Sequence, residues 1–105
     1  MINALLNKDG IGKTSIVPGE LFPLGYQQIT DLSSSTALTI PTYSRLALVV
    51  VEGQGVRWRD DSSSPTATVG MPLAAGDRML YDANLSALRF IQQLSGAILN
   101  VSYYS

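Results

Sequence analysis

The sequence predicts an all-β fold, an antiparallel β-sandwich or jelly roll of about eight short strands led by an extended N-terminal arm. Three observations carry that expectation. Apolar and polar residues alternate in short runs. Clusters of Gly, Pro, Asn, Asp and Ser separate those runs at close spacing. No window sustains a 3.6-residue apolar stripe over three turns. The 105 residues suit one domain, divided into the arm (1–23) and the sandwich (24–105).

The arm is set apart by its backbone chemistry. Asn7-Lys8-Asp9-Gly10-Ile11-Gly12-Lys13 is polar and glycine-rich, and Pro18-Gly19 and Pro23 follow. Glycine frees the backbone and proline blocks ladder hydrogen bonds, so neither a long helix nor a central strand fits there. The first strand is expected at Tyr26–Thr30, ended by the polar cluster Asp31–Ser35. Thr36–Ile40 follows, with Leu38 and Ile40 on one face and a stop at Pro41. Arg45–Glu52 is apolar on both faces, the pattern of a strand central in a sandwich. Gly53-Gln54-Gly55 turns the chain into Val56–Arg59, where alternation puts Val56 and Trp58 on one face and Arg57 and Arg59 on the other.

Asp60–Pro65 reads as a loop, Thr66–Met71 as a short strand, and Pro72–Asp77 as a turn. Further strands are expected at Arg78–Tyr81 and Leu85–Gln92, joined by the turn Asp82-Ala83-Asn84. After Ser95-Gly96, Ala97–Tyr104 closes the domain, with Ala97, Leu99, Val101 and Tyr103 on one face and Ile98, Asn100, Ser102 and Tyr104 on the other.

Composition excludes several functions. Charged residues make up 14% of the chain and apolar residues 46%, against an ordinary charged share of about 25%. Two explanations stand: surface hidden in an assembly, or a Ser/Thr surface that stays soluble without ions. The net charge of −1 argues against nucleic acid, whose partners need a basic excess. No polybasic run addresses an anionic membrane. The longest apolar run, Leu46–Val51, is six residues, far short of the ~20 that span a bilayer. Met1–Leu6 is too short for a signal-peptide core.

Chemistry-bearing motifs are sparse. Gly12-Lys13-Thr14 resembles the end of a phosphate-binding loop, but Asn7 stands where its first glycine belongs. Asn84-Leu85-Ser86 and Asn100-Val101-Ser102 match the loose glycosylation triplet without a secretory context. Asp60-Asp61 lacks the further acids of a cation loop. With no histidine and no cysteine, the chain has no base poised near neutral pH and no thiol nucleophile. The expectation is a non-enzyme, with no catalytic residues, no cofactor and no metal.

Binding residues are the better candidates. Arg57 and Arg59 project from one strand face. Either they pair with Asp60, Asp61 or Asp77 over a core Trp58, or they meet an acidic partner surface in bidentate contacts. Of Tyr103 and Tyr104, adjacent on a strand, one faces the core and the other is exposed or in an interface, where tyrosine is enriched. Trp58 and, in the arm, Lys8 and Lys13 complete the candidate partner contacts.

The stretches Gly55-Val56-Arg57-Trp58-Arg59-Asp60-Asp61 and Pro65-Thr66-Ala67-Thr68-Val69-Gly70-Met71-Pro72-Leu73 resemble a group of small tailed-bacteriophage virion proteins. The likeness continues through Ala75-Gly76-Asp77, Leu85–Ile91 and Leu99–Tyr104, covering residues 25–104 and leaving the arm outside. The resemblance implies a virion component made in the host cytoplasm, with the capsid surface favoured over the tail. It implies a capsid decoration (cement) protein bound to the major capsid protein or other virion proteins, as a homo-oligomer, trimer or dimer. A tail, fibre or baseplate module touching host glycans is the alternative.

Overall fold

A computed structural model describes residues 21–105; Lys8, Lys13 and the rest of residues 1–20 lie outside the described residues. Within them the chain is all-β. Its strands are β1 (Pro23–Ile29), β2 (Thr36–Ala37), β3 (Leu46–Glu52), β4 (Val56–Arg59), β5 (Met71–Leu73), β6 (Arg78–Tyr81), β7 (Arg89–Gln92) and β8 (Ile98–Tyr104). They form two antiparallel sheets of four strands, ordered β1-β8-β3-β6 and β2-β7-β4-β5. Apart from the β4–β5 hairpin, each strand crosses to the opposite sheet from its predecessor. That alternation, with the first strand beside the last, is the jelly-roll order.

The sequence explains which strands are central. β3 is apolar at every position from Leu46 to Val51, so it tolerates neighbours on both edges and cover on both faces. It lies between β8 and β6, in register Val49↔Val101 and Val49↔Met79. Alternation then sorts side chains. Ala47, Val49, Val51, Leu99, Val101 and Tyr103 from this sheet meet Val56, Leu88 and Phe90 from the other side in one buried core. Leu48, Val50, Ile98, Asn100, Ser102 and Tyr104 take the opposite, outer face.

Several boundaries differ from the sequence expectation, each for a local reason. β1 begins at Pro23, inside the stretch assigned to the arm, and reciprocal backbone bonds between Phe22 and Ser105 extend its ladder. A proline is tolerated there because β1 is an edge strand and its missing N–H costs no ladder bond. β2 spans only Thr36–Ala37, although Leu38 is buried and Ile40 packs on the core. Of the strand expected at Thr66–Met71 only Met71 joins a ladder. The Thr66 hydroxyl accepts from the Thr68 and Val69 amides, which fold the segment into a side-chain-stabilised turn. The strand comes after it, at Met71–Leu73, with Pro72 again on an edge. The following turn is correspondingly shorter, its Ala74 amide donating to Asp77 Oδ2. Leu85–Ala87 is a single turn of 3-10 helix that buries Leu85, so β7 starts only at Arg89.

One turn residue is dictated by geometry. Gly53, in the β3–β4 connection, has φ of +82°, and a Cβ there would stand 2.3 Å from the Gly96 carbonyl oxygen of the β7–β8 connection. Both the left-handed conformation and the backbone contact exclude side chains. Gly53→Ala is expected to cost about 1–3 kcal/mol, read as a lower urea midpoint with an unchanged slope. An unaltered midpoint would show that the two turns separate freely.

Candidate binding surfaces

Three of the arginines, Arg57, Arg59 and Arg89, share the outer face of the second sheet. The pairing sets them: Arg59 stands directly opposite Arg89, and Arg57 opposite Ile91 and Pro72. Trp58 points the other way, as alternation requires, packing half-buried on the core. Its ring meets Tyr81 of the first sheet edge-on, with centroids 6.1 Å apart, a favoured aromatic geometry.

Two of the arginines are held by the long β4–β5 loop. Arg57 Nη1 donates to the Gly70 carbonyl at 2.8 Å. Arg59 makes a two-pronged bond to Asp61, Nε to Oδ1 at 2.9 Å and Nη2 to Oδ2 at 2.5 Å. That hydrogen bonding lowers the Asp61 pKa and raises that of Arg59. Asp60 accepts a bond from the Tyr81 hydroxyl at 2.6 Å, and Pro65 is buried. The loop is thus tied at its start to both sheets, through Asp60 and Asp61, and at its end to the second sheet, through Gly70. Arg59 pairs with Asp61 beside the half-buried tryptophan, whereas Arg57 meets a backbone carbonyl and none of the acids expected for it.

Tyr103 and Tyr104 divide as adjacent strand residues must. Tyr103 is 1% exposed, and its hydroxyl donates to Gln27 Oε1 at 2.8 Å. Burial pushes its pKa up to about 12. Tyr104 lies on the outer face of the first sheet, opposite Leu46 and Pro23.

That outer face was legible only in part. Tyr26 and Gln28 of β1 face outward beside Asn100 of β8, and both donate to Asn100 Oδ1, at 2.5 and 3.0 Å. The Asn100 amide in turn donates to Glu52 Oε1 at 2.7 Å. Next to this polar ladder, Leu48 stands opposite Leu80, with Val50 next along β3 on the same side. Leu80 is 56% exposed and Tyr26 63% exposed. Arg89 and the ladder residues were missed because they become neighbours only through pairing between strands far apart in sequence.

Among the described residues there is no group of three or more acids, histidines or cysteines able to hold a metal ion. None of their helices is long and apolar enough to cross a membrane. The fold and these surfaces define an eight-stranded jelly-roll protein whose distinguishing groups lie on its two outer faces and in its loops. Comparison with protein-family models, with characterised proteins and with solved structures found no match.

Proposed function

We propose that this protein is a bacteriophage virion structural protein, a capsid decoration protein that associates with itself and with the major capsid lattice. The observation that carries the reading is the outer face of the β1-β8-β3-β6 sheet. There Leu48 stands opposite the exposed Leu80, Val50 follows along β3 opposite Arg78, and the exposed Tyr26, across β8 from Leu48, shares the face with the half-buried Ile98 and Tyr104. A flat sheet face of this kind suits packing against a like surface. The low charge share of 14% supports it, because sparsely charged surface is characteristic of interface centres. The jelly roll is an architecture that viral capsid and lectin domains both use, which is analogy alone. Many copies on a repeating lattice would gain avidity from individually modest contacts.

Leu80→Glu tests the reading. Leu80 is exposed, so the substitution should change stability by less than about 0.5 kcal/mol while opposing association. Light scattering on the eluting protein should show an oligomer for the natural chain and a monomer for the variant. Co-sedimentation with capsids should weaken in parallel. In the same assay, deleting residues 1–20 should reduce particle binding if the arm crosses the lattice. A natural chain that is monomeric and ignores capsids would end the proposal.

A further inference from the structure

The β4–β5 loop and the turn before β7 flank an open cleft of about 300 Å³, with the exposed Ser62, Ser63 and Ser64 on one wall and Asn84, Ser86, Ala87 and Arg89 on the other. This volume is at the small end of ligand sites. Its lining is unusual for one, being mostly hydroxyls, an amide and a guanidinium, with Ala87 as its one apolar side chain. An apolar ligand would strip water from these groups and return nothing, at a cost for each unpaired donor or acceptor. A ligand that itself carries several hydroxyls would replace those water contacts.

The guanidinium defines the rest of the ligand. Arg89 Nη1 donates to the Ser86 carbonyl at 2.9 Å and the Leu88 carbonyl at 2.8 Å. These bonds fix the plane of the group while leaving Nε and Nη2 uncommitted. Arg59, directly opposite on β4, is neutralised by Asp61; Arg89 has no ion pair among the described residues. One fixed, uncompensated fork matches one carboxylate. Ser86 Oγ donates to Asn84 Oδ1 at 2.7 Å, a bond that occupies the amide oxygen and leaves the donors of the amide nitrogen for a ligand. Ser62 has φ of +71°, a conformation uncommon outside glycine that collects at ligand-binding segments.

We propose that this cleft binds a carboxylate-bearing monosaccharide unit, a uronic or sialic acid, with Arg89 on the carboxylate and the serine wall and Asn84 on the hydroxyls. The site is independent of the lattice-binding face, which lies on the other sheet. Association could fail its test while this site stands, and the reverse.

The test is a titration of the full-length protein, followed through the backbone amide signals of residues 62–64 and 84–89. The probes are galacturonic acid and N-acetylneuraminic acid, with galactose, acetate and a short Asp/Glu peptide as comparisons at equal ionic strength. The sugar acids should give saturable shifts at these amides. Galactose and acetate should each bind about tenfold or more weakly, as expected when a charge-assisted bond or a set of hydroxyl contacts is lost. Arg89→Gln should weaken sugar-acid binding by a similar factor. Because Arg89 also braces the turn before β7, Ser63→Phe provides a second variant. It comes from an exposed loop position, fills the cleft and leaves the Arg89 bonds intact. It should keep the natural melting temperature and lose the saturable shifts. No saturable shift, binding unchanged in Ser63→Phe, or galactose or acetate binding as tightly as the sugar acids would each overturn the assignment. Capture of the acidic peptide in preference to the sugars would do the same.

Discussion

Phe90→Ala will lower the unfolding free energy by about 3–5 kcal/mol, the usual cost of truncating a buried aromatic. Phe90 is fully buried on β7 and stands across the ladder from Trp58 on one side and Thr36 on the other. Only the two-residue β2 lies beyond β7 at that edge of the sheet, so little structure can relax inward to fill the void. A domain of this size is stable by about 5–15 kcal/mol, so the substitution removes a large share of its stability. The single tryptophan is a neighbour of the cavity, so its fluorescence in a urea titration reports the transition directly. The chain's other phenylalanine gives the control. Phe22 is 64% exposed, and Phe22→Ala should shift stability by less than about 0.5 kcal/mol. Equal losses for the two substitutions would mean that burial is not what makes Phe90 matter.

Much of the strand pattern was legible because alternation is a local signal. Val56 and Trp58 against Arg57 and Arg59, and Leu99, Val101 and Tyr103 against Asn100, Ser102 and Tyr104, follow from the pleat without knowledge of partners. Failures came where a side chain competes with the ladder for backbone hydrogen bonds. Thr66 has a strand-favouring residue type, yet its hydroxyl captures two amides two and three positions ahead and makes a turn. Leu85–Gln92 reads as one apolar run, but the Ala87 amide donates back to the Asn84 carbonyl and curls the first part into a helical turn. Prolines misled in the opposite direction. Pro23 and Pro72 were read as strand breakers, and both lie in edge strands, where no partner needs their missing donor.

The binding surfaces were less legible for a topological reason. In a jelly roll most neighbours across a ladder are distant in sequence. Tyr26 and Asn100 are 74 positions apart, and Arg59 meets Arg89 only because β4 pairs with β7. Strand parity tells which face a residue takes, and strand order tells its company. The two arginines visible as a pair in the sequence turn out to be committed to the loop that follows them. The third, which looked unremarkable, is the one that lines the cleft beside that loop. The serines of that loop read as solvated linker, yet tethering of the loop by Asp60 and Asp61 brings them against the turn at Asn84 to form a wall.

The second large effect is alkaline. Tyr103 and Tyr81 are both pushed up to about 12, Tyr103 by burial and Tyr81 by burial and then the Asp60 carboxylate that accepts its hydrogen. Unfolded tyrosine ionises near 10. A raised folded value means the native state favours the protonated phenol. The stabilisation is therefore complete below about pH 10 and disappears as pH climbs toward 12. Two units at about 1.36 kcal/mol each put the Tyr103 contribution at roughly 2–3 kcal/mol. Tyr81, only half-buried, adds in the same direction with more screening by water. Tyr103→Phe gives up its bond to Gln27, a loss of about 0.5–1.5 kcal/mol at neutral pH. It also removes the ionising group. Urea midpoints measured at about pH 8 and about pH 11 should therefore fall less in Tyr103→Phe than in the natural chain. A variant with the full alkaline fall would place the liability elsewhere. Tyr81 carries the same chemistry to the binding loop: once ionised it faces Asp60 as a second anion, the tether turns repulsive, and the serine wall should loosen. Tyr81→Phe should accordingly abolish the alkaline change in the amide signals of residues 62–64, and a variant that keeps it would contradict the role assigned to that tether.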